Sequence, residues 1–457
     1  LPVGGGLCCV RIYSAPPSVP PARPGARERE LLIAALCPCR ALPVDARFPP
    51  GRSRHVVAVW LDFLSQEKNM LEKKAAALLS CILFVLLLAI GFWQAFHKPL
   101  WVDELFSLIH SVEGLSYGEI FLGRMQEGNN SPLFYLIQKG TLDVTGYEPP
   151  APWLNGDWGY QDVGSQILIR VNPVVFMSLS VILIFYYFSR TFGLLAGVYS
   201  LAVSLSSFMV WAHWAEARPY ALWVFLTTIQ SLFFLKIIGQ RENARNGWLG
   251  LAVVHFLLSL SIFISIIQIT IVSLLLWILS ERDWRKYIAI FVVPVVAATT
   301  YHLSGLKLAF SFVHGPWALI NASIPIDRLL IVLFFGGYFI LDHFCLKSAL
   351  FNKLSIRSMG LQEIRITGAY LGLFLLTLLG FLAMLMKLKM GESPHDEGFE
   401  ISNRYFIPLT PIGIFATTLF SIYLVRASSN KLIRGAILLF LAGLLLVRIV
   451  RTMPLVF

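Results

Sequence analysis

Charged residues are scarce in this chain of 457 amino acids: they make up 14% of it, against 57% hydrophobic residues. A soluble protein of this size has too little interior to hide so much apolar surface, so the composition excludes an ordinary soluble domain. Acidic residues are outnumbered by basic ones, 26 against 37, which gives a formal net charge of +11. Basic residues collect in the cytoplasmic loops of membrane proteins, which explains the excess better than nucleic-acid binding does. The sequence therefore predicts a polytopic membrane protein without a nucleic-acid partner.

Cysteine is also rare, and four of the six cysteines fall in the first 39 residues. There, one residue separates Cys37 from Cys39, whereas zinc and thioredoxin motifs need two, and no histidine lies close by. The stretch 1–69 is rich in Pro, Arg, Ala and Gly, begins with Leu, and lacks the continuous apolar run of a signal peptide. We predict that Met70 is the biological start and that 1–69 is mistranslated upstream sequence, or alternatively a disordered tail, without a function. Residues 70–457 are predicted to form one transmembrane domain.

Apolar segments recur along the chain from Met70 onward. About eleven of them have the length and hydrophobicity of membrane-spanning helices. They lie at 76–95, 171–189, 191–210, 219–237, 247–265, 267–281, 287–304, 328–343, 366–386, 406–425 and 434–450. The predicted fold is therefore an all-α polytopic membrane protein.

Lysine and arginine residues fall in alternate loops, which predicts that those loops are cytoplasmic. The first loop on the opposite side, about 97–169, is long and acidic. Its amphipathic stretches around 105–115 and 133–137 are too short to cross a bilayer, and we predict that they are juxtamembrane helices at the membrane surface. A connection of this length usually has a function, such as a lid or a binding site.

Charged side chains from distant parts of the sequence meet on this outer face if the topology holds. They are Asp103, Glu104, Arg170, Glu216, Arg218 and Arg404. Arginine binds phosphate oxygens through its planar fork of N–H groups, and a carboxylate can take the proton from an attacking hydroxyl. The combination suits transfer from a phosphate-bearing donor. Each residue also has a simpler explanation: Asp103 and Glu104 could begin a solvated helix, and each arginine could reach toward lipid headgroups.

Five motifs occur in an order that resembles the GT-C superfamily of integral-membrane glycosyltransferases. They are Trp101-Val102-Asp103-Glu104, Asn130-Ser131-Pro132-Leu133-Phe134-Tyr135, Arg170, Glu216-Ala217-Arg218-Pro219-Tyr220-Ala221-Leu222 and Arg404-Tyr405-Phe406-Ile407-Pro408. The resemblance is to the bacterial family related to protein O-mannosyltransferases and to the aminoarabinose transferase of lipid A. It implies an inverting enzyme of the inner membrane that uses a polyprenyl-phosphate sugar donor, with its active site facing the periplasm or exterior.

The resemblance also implies a role for each residue of these motifs. Asp103 would be the general base, with Glu104 supporting it or contacting the acceptor. The donor phosphate would be bound by Arg170, Arg218 and Arg404. The supporting residues would be Glu216, which fixes Arg218, together with Asn130, Tyr220 and Tyr405.

The chain departs from the family pattern at several points. Many relatives carry His-Pro-Pro where this chain has Asn130-Ser131-Pro132, and Trp214-Ala215 replaces the usual Gln or Ser-Gln before Glu216. The Asp-x-Asp motif of the metal-dependent branch is absent, so a catalytic divalent cation is left open. The acceptor could be a glycan, a lipid or a protein, and the sugar is not identified. A transporter or lipid flippase is the alternative function, although such proteins usually carry charged or broken helices near the middle of the membrane.

Overall fold

The structure of the protein is a computed structural model. It describes residues 52–125, 131–157, 159–160, 162–239, 245–280, 283–305, 361–390, 406–428 and 430–453. The chain divides into two units, Leu1–Glu67 and Lys68–Phe457, and the site described below belongs to the second. The biological start at Met70 stays a prediction, as does the absence of a function before it.

All regular secondary structure in these described ranges is helical, as predicted. The helices are α1 (Arg52–His97), α2 (Val102–Ser111), α3 (Tyr117–Phe121), α4 (Pro132–Thr145), α5 (Ala151–Leu154), α6 (Val163–Ile169), α7 (Val171–Phe192), α8 (Leu194–Leu205), α9 (Phe208–Ala212), α10 (Tyr220–Gly239), α11 (Arg245–Ser259), α12 (Ser265–Leu279), α13 (Trp284–Tyr287), α14 (Val293–Gly305), α15 (Leu361–Met390), α16 (Leu409–Ala427) and α17 (Lys431–Thr452). A π-helical turn, Ile288–Val292, joins α13 to α14.

Six helices in the described part of the chain are long and apolar enough to cross a membrane. They cover Lys74–His97, Val171–Phe192, Tyr220–Gly239, Arg365–Leu382, Leu409–Arg426 and Lys431–Thr452, and each coincides with one of the eleven predicted spans. Three more predicted spans fall on shorter apolar helices, Leu194–Leu205, Asn246–Ser259 and Ser265–Leu279. The predicted span 287–304 begins at the π-helical turn and continues without a break into α14, and 328–343 lies outside the described residues. In the described ranges the structure thus supports a helical membrane protein with six candidate spans, and the eleven spans stay a prediction.

The break between α8 and α9 shows why one predicted span is shorter than its hydropathy suggests. Ser207 takes an extended backbone conformation, which ends the helical path. The carbonyls freed nearby are satisfied locally, because the Ser206 hydroxyl donates to Val203 O and the Trp211 indole donates to Leu205 O. A run of apolar residues does not reveal such a break, since the side chains that cap it are themselves compatible with a membrane interior.

The spans differ in how deeply they lie inside the helical bundle. The most apolar stretches of α10 and α16 are 72% and 78% buried, whereas those of α1 and α17 are 22% and 11% buried. The difference places α10 and α16 at the centre of the described helices and α1 and α17 at their edge.

The described residues of the long loop after α1 form five short helices, α2 to α6. The two predicted juxtamembrane stretches correspond to α2 and to the longer α4. The start of α4 is held to the turn between α11 and α12 by two backbone hydrogen bonds, from Ser131 N to Ser261 O at 3.1 Å and from Leu133 N to Leu260 O at 2.9 Å. The start of α4 is therefore joined to the turn between two of the apolar helices.

Candidate functional site

Four separate segments bring charged side chains together at one end of the bundle. Lys98 follows the last residue of α1, and Asp103 and Glu104 occupy the first turn of α2. Arg170 stands where α6 ends and α7 begins. The connection between α9 and α10 supplies the fourth segment, with His213, Glu216 and Arg218. We refer to these seven residues as the charge cluster.

Glu104 is the centre of the charge cluster, and its side chain is fully buried. Its carboxylate accepts a hydrogen bond from Trp101 N at 3.0 Å, which caps the first turn of α2. It also accepts one from Ala217 N at 2.7 Å, on the connection that leads into α10. Arg170 donates twice more, from Nε to Oε1 at 3.0 Å and from Nη2 to Oε2 at 2.6 Å. Because four donors surround the carboxylate, its charge is compensated despite complete burial.

Arg170 is equally buried, and all five of its N–H groups are used. Two go to Glu104. The other three bind the carbonyls that end α1: Nη1 donates to Ala95 O at 3.1 Å and to Lys98 O at 2.5 Å, and Nη2 donates to Pro99 O at 3.0 Å. A guanidinium is favourable here because the C-terminal end of a helix carries partial negative charge. A phosphate could bind Arg170 only by displacing one of these groups.

Asp103 and Arg218 form a second ion pair beside the first one. Arg218 Nη1 donates to Asp103 Oδ2 at 2.6 Å. The Asp103 side chain is 44% exposed and that of Arg218 is 12% exposed, so this pair opens to the surroundings while the Glu104 pair does not. The Arg218 guanidinium also lies 5.5 Å from the centre of the Tyr220 ring, a cation–π contact that orients it.

His213 and Glu216 form a third pair. His213 Nδ1 lies 2.5 Å from Glu216 Oε2, and both side chains are 10% exposed. Burial alone would raise the pKa of Glu216, but the His213 ring, the Arg218 guanidinium and the Lys98 ammonium outweigh it and lower the pKa to about 2. Glu216 is therefore an anion at any physiological pH.

Lys98 lies at the inner side of the cluster. Its Nζ donates to Ala212 O at 3.0 Å and sits 5.5 Å from the centre of the Trp101 ring. Burial, helped by repulsion from the Arg170 guanidinium, lowers the pKa of Lys98, and attraction to Glu216 and Glu104 opposes this shift. Lys98 thus links the end of α1 to the end of α9.

The structure gathers six of the nine residues that the sequence assigned to the site. Five belong to the charge cluster, and the sixth is Tyr220, whose buried ring contacts both His213 and Arg218. Asn130, Arg404 and Tyr405 lie outside the described residues. The contacts of two residues bear on their expected roles, which stay predictions. The N–H groups of Arg170, expected to bind phosphate, donate to protein groups. Glu216, expected to fix Arg218, lies 2.5 Å from His213 and is also stabilised by the charge of Arg218, which donates to Asp103.

Sequence reasoning missed Lys98 and His213 as members of the cluster. Lys98 resembles an ordinary basic residue at the end of a span, and His213 stands alone in an aromatic stretch. The signal that could have found them is position: His213 precedes Glu216 by three residues, and Lys98 precedes Asp103 by five, so both flank the motifs already selected.

The part of the chain that the structure describes contains no set of side chains arranged as metal ligands. There, no group of three or more His, Cys, Asp or Glu side chains is arranged to hold an ion. The three carboxylates of the charge cluster are each bonded to a cationic or imidazole partner instead. A divalent cation therefore stays as open as the sequence left it.

Comparison of the sequence with protein-family models and with curated proteins gave no match. The likeness to GT-C glycosyltransferases therefore rests on the sequence motifs quoted above and stays a prediction.

Proposed function

We propose that this protein is an integral-membrane, inverting glycosyltransferase that moves a sugar from a polyprenyl-phosphate donor to a hydroxyl acceptor. The charge cluster is its active site, on the outer face of the cell's inner membrane. The observation that carries the proposal is the Asp103–Arg218 pair, a carboxylate and a guanidinium 2.6 Å apart at the open edge of an otherwise buried set of charges. The acceptor is a glycan, a lipid or a protein that presents a hydroxyl group.

Asp103 and Arg218 divide the chemistry between them. Arg218 binds the donor phosphate, because a guanidinium matches phosphate oxygens and keeps its charge when partly desolvated. Asp103 takes the proton from the acceptor hydroxyl as the hydroxyl oxygen attacks the anomeric carbon. The bond from that carbon to the phosphate oxygen breaks, and its electron pair leaves with the polyprenyl phosphate. Attack from the face opposite the phosphate inverts the anomeric centre.

Glu104 and Arg170 act as positioning residues in this proposal. Glu104 is the chain neighbour of Asp103, and it accepts a hydrogen bond from Ala217, the chain neighbour of Arg218. One buried carboxylate therefore sets the spacing between the base and the phosphate-binding residue. Arg170 fixes that carboxylate from behind and ties it to the end of α1. This revises the phosphate-binding role that the resemblance implied for Arg170.

The decisive experiment measures transfer of radiolabelled sugars from polyprenyl-phosphate donors in membranes containing the protein. We expect Asp103→Asn to lower the transfer rate by about 100-fold or more, as removal of a general base does. Asp143→Asn is the matched control, because Asp143 is a carboxylate of the same outer loop that pairs with Lys139 on α4, away from the charge cluster. Full transfer by Asp103→Asn would remove Asp103 from the mechanism, and no transfer by the wild type with any donor would refute the function.

A transporter is the second candidate, and one feature favours it. A chain of buried polar groups crosses α10, α11 and α12: Trp223 donates to Gln268, Gln268 to Gln230, and Gln230 lies 2.8 Å from His255. Polar groups inside a membrane bundle often mark a transport path. The expected outcome for this alternative is solute or lipid flux in proteoliposomes that survives Asp103→Asn and is lost in His255→Ala.

A further inference from the structure

His213 occupies a position in the charge cluster that the proposed reaction does not yet use. It lies on the connection between α9 and α10, with its ring 5.1 Å from that of Tyr220. Its Nδ1 faces the Glu216 carboxylate at 2.5 Å. The side chain is 10% exposed, so the ring is neither sealed in the core nor free in solvent.

The partner on Nδ1 decides what the other ring nitrogen can do. Since Glu216 remains an anion, it accepts a hydrogen bond, and Nδ1 must carry the proton that is donated. The second nitrogen, Nε2, is then an acceptor in the neutral ring and an N–H donor in the imidazolium. Addition of one proton therefore turns Nε2 of His213 into a charged donor, and Glu216 stabilises that charge.

The net charge around His213 determines how its protonation affects the binding of an anionic ligand. Lys98 faces it from the end of α1, Glu216 and Arg218 from its own connection, and the Tyr220 ring from α10. Beyond them lie the Arg170–Glu104 pair and Asp103. With a neutral His213, three carboxylates offset Lys98, Arg170 and Arg218, so the cluster has a formal charge of zero. A phosphodiester adds one negative charge, and protonation of His213 returns the total to zero.

We propose that His213, oriented by Glu216, is an anion-binding residue of this site and that its protonation controls the affinity for a phosphodiester group. The inference rests on the proposed function, because the phosphodiester is that of the polyprenyl-phosphate sugar. The imidazolium Nε2–H donates to a phosphate oxygen alongside Arg218. It stays in place when the sugar leaves and the phosphate gains a second charge, which favours the reaction as well as binding.

The sign of the pH dependence follows from this arrangement. Binding of an anion favours the protonated ring, so the phosphodiester should bind more tightly at low pH than at high pH. One charge-assisted hydrogen bond contributes enough that the loss should be about tenfold.

Binding of farnesyl methyl phosphate to the purified protein in detergent tests the inference without requiring catalysis. This diester keeps a single charge at every pH used, whereas a phosphate monoester would itself titrate. We expect the dissociation constant to rise about tenfold between pH 5.5 and pH 8 for the wild type, in line with one charge-assisted hydrogen bond. His213→Gln should bind equally at both pH values. Glu216→Gln, which keeps the shape of the side chain, should shift the fall in affinity to lower pH because the imidazolium has lost its counter-charge.

His110→Gln is the matched control, because His110 lies on α2 against Phe106 and outside the charge cluster. It should reproduce the wild-type pH dependence, and farnesol, which has no charge, should show none. Dimethyl phosphate separates a lipid-linked anion from a soluble one, and we expect it to bind much more weakly than the farnesyl diester.

The outcomes separate this inference from the proposed function. If His213→Gln keeps the wild-type pH dependence, or the wild type shows none, the role of His213 is refuted while a phosphate-linked donor stands. If the wild type binds no phosphodiester at any pH, or binds dimethyl phosphate as tightly as the lipid, the donor assignment itself fails. Thermal unfolding of each variant shows whether a loss of binding comes from a loss of folding.

Discussion

Asp103 and Glu104 are neighbours in the first turn of α2, yet they serve two regions of opposite character. Glu104 lies in a sealed region in which four hydrogen bonds and a fully buried arginine surround its carboxylate. Asp103 lies in an open region, with nearly half of its side chain exposed and Arg218 at its side. Successive residues of a helix point about 100° apart, so one faces the protein and the other faces away. Within a single dipeptide, Glu104 therefore supports the structure of the site, and Asp103 is placed to react.

The largest expected effect is on the sealed region. Arg170→Met leaves the Glu104 carboxylate buried without its main counter-charge, and loss of one partner of a buried pair costs about 3–5 kcal/mol. We expect a strongly lowered unfolding temperature in detergent. Arg124→Met is the control, since Arg124 forms a 2.9 Å pair with Glu119 but is 65% exposed. Equal stability of the two variants would mean that burial does not distinguish the regions.

The second-largest effect is expected in the pH dependence of stability, and it arises from Glu216. Its pKa is lowered from 4.5 to about 2, so the carboxylate contributes stability that is present above pH 4.5 and is lost as the pH falls toward 2. A shift of this size corresponds to about 3 kcal/mol. Unfolding measured between pH 5 and pH 2.5 should show a steeper loss for the wild type than for Glu216→Gln. Parallel curves would contradict the assignment.

The smallest effect on stability is expected in the open region. Asp103→Asn should change the free energy of unfolding by less than about 1 kcal/mol, because partly exposed ion pairs contribute little. The same variant should lose most sugar transfer. Asp103→Asn should therefore lower activity with little loss of stability, whereas Arg170→Met should cause the larger loss of stability. A large loss of stability in Asp103→Asn would mean that Asp103 also supports the fold.

Much of this site follows from the sequence, because alternation of spans and loops places 103–104, 170 and 216–218 on one side of the bundle. The sequence does not show which of these groups bind one another. Three of the groups that bind Arg170 are backbone carbonyls at the end of α1, which no pattern of side chains reveals. The contrast between Asp103 and Glu104 also depends on the direction in which α2 leaves the membrane. Breaks within apolar sequence, such as the one at Ser207, are hidden for a similar reason.

We also expect the bonds of Arg170 to the end of α1 to set an order of assembly. Ala95, Lys98 and Pro99 are synthesised about 70 residues before the arginine that satisfies their carbonyls, so the first span reaches the membrane with an incomplete C-terminal end. We expect it to be retained near the insertion machinery until α7 arrives with Arg170. The Ala217 hydrogen bond then closes the cluster as α10 begins to emerge. All of the described residues of the charge cluster are in place before the second half of the chain has been made.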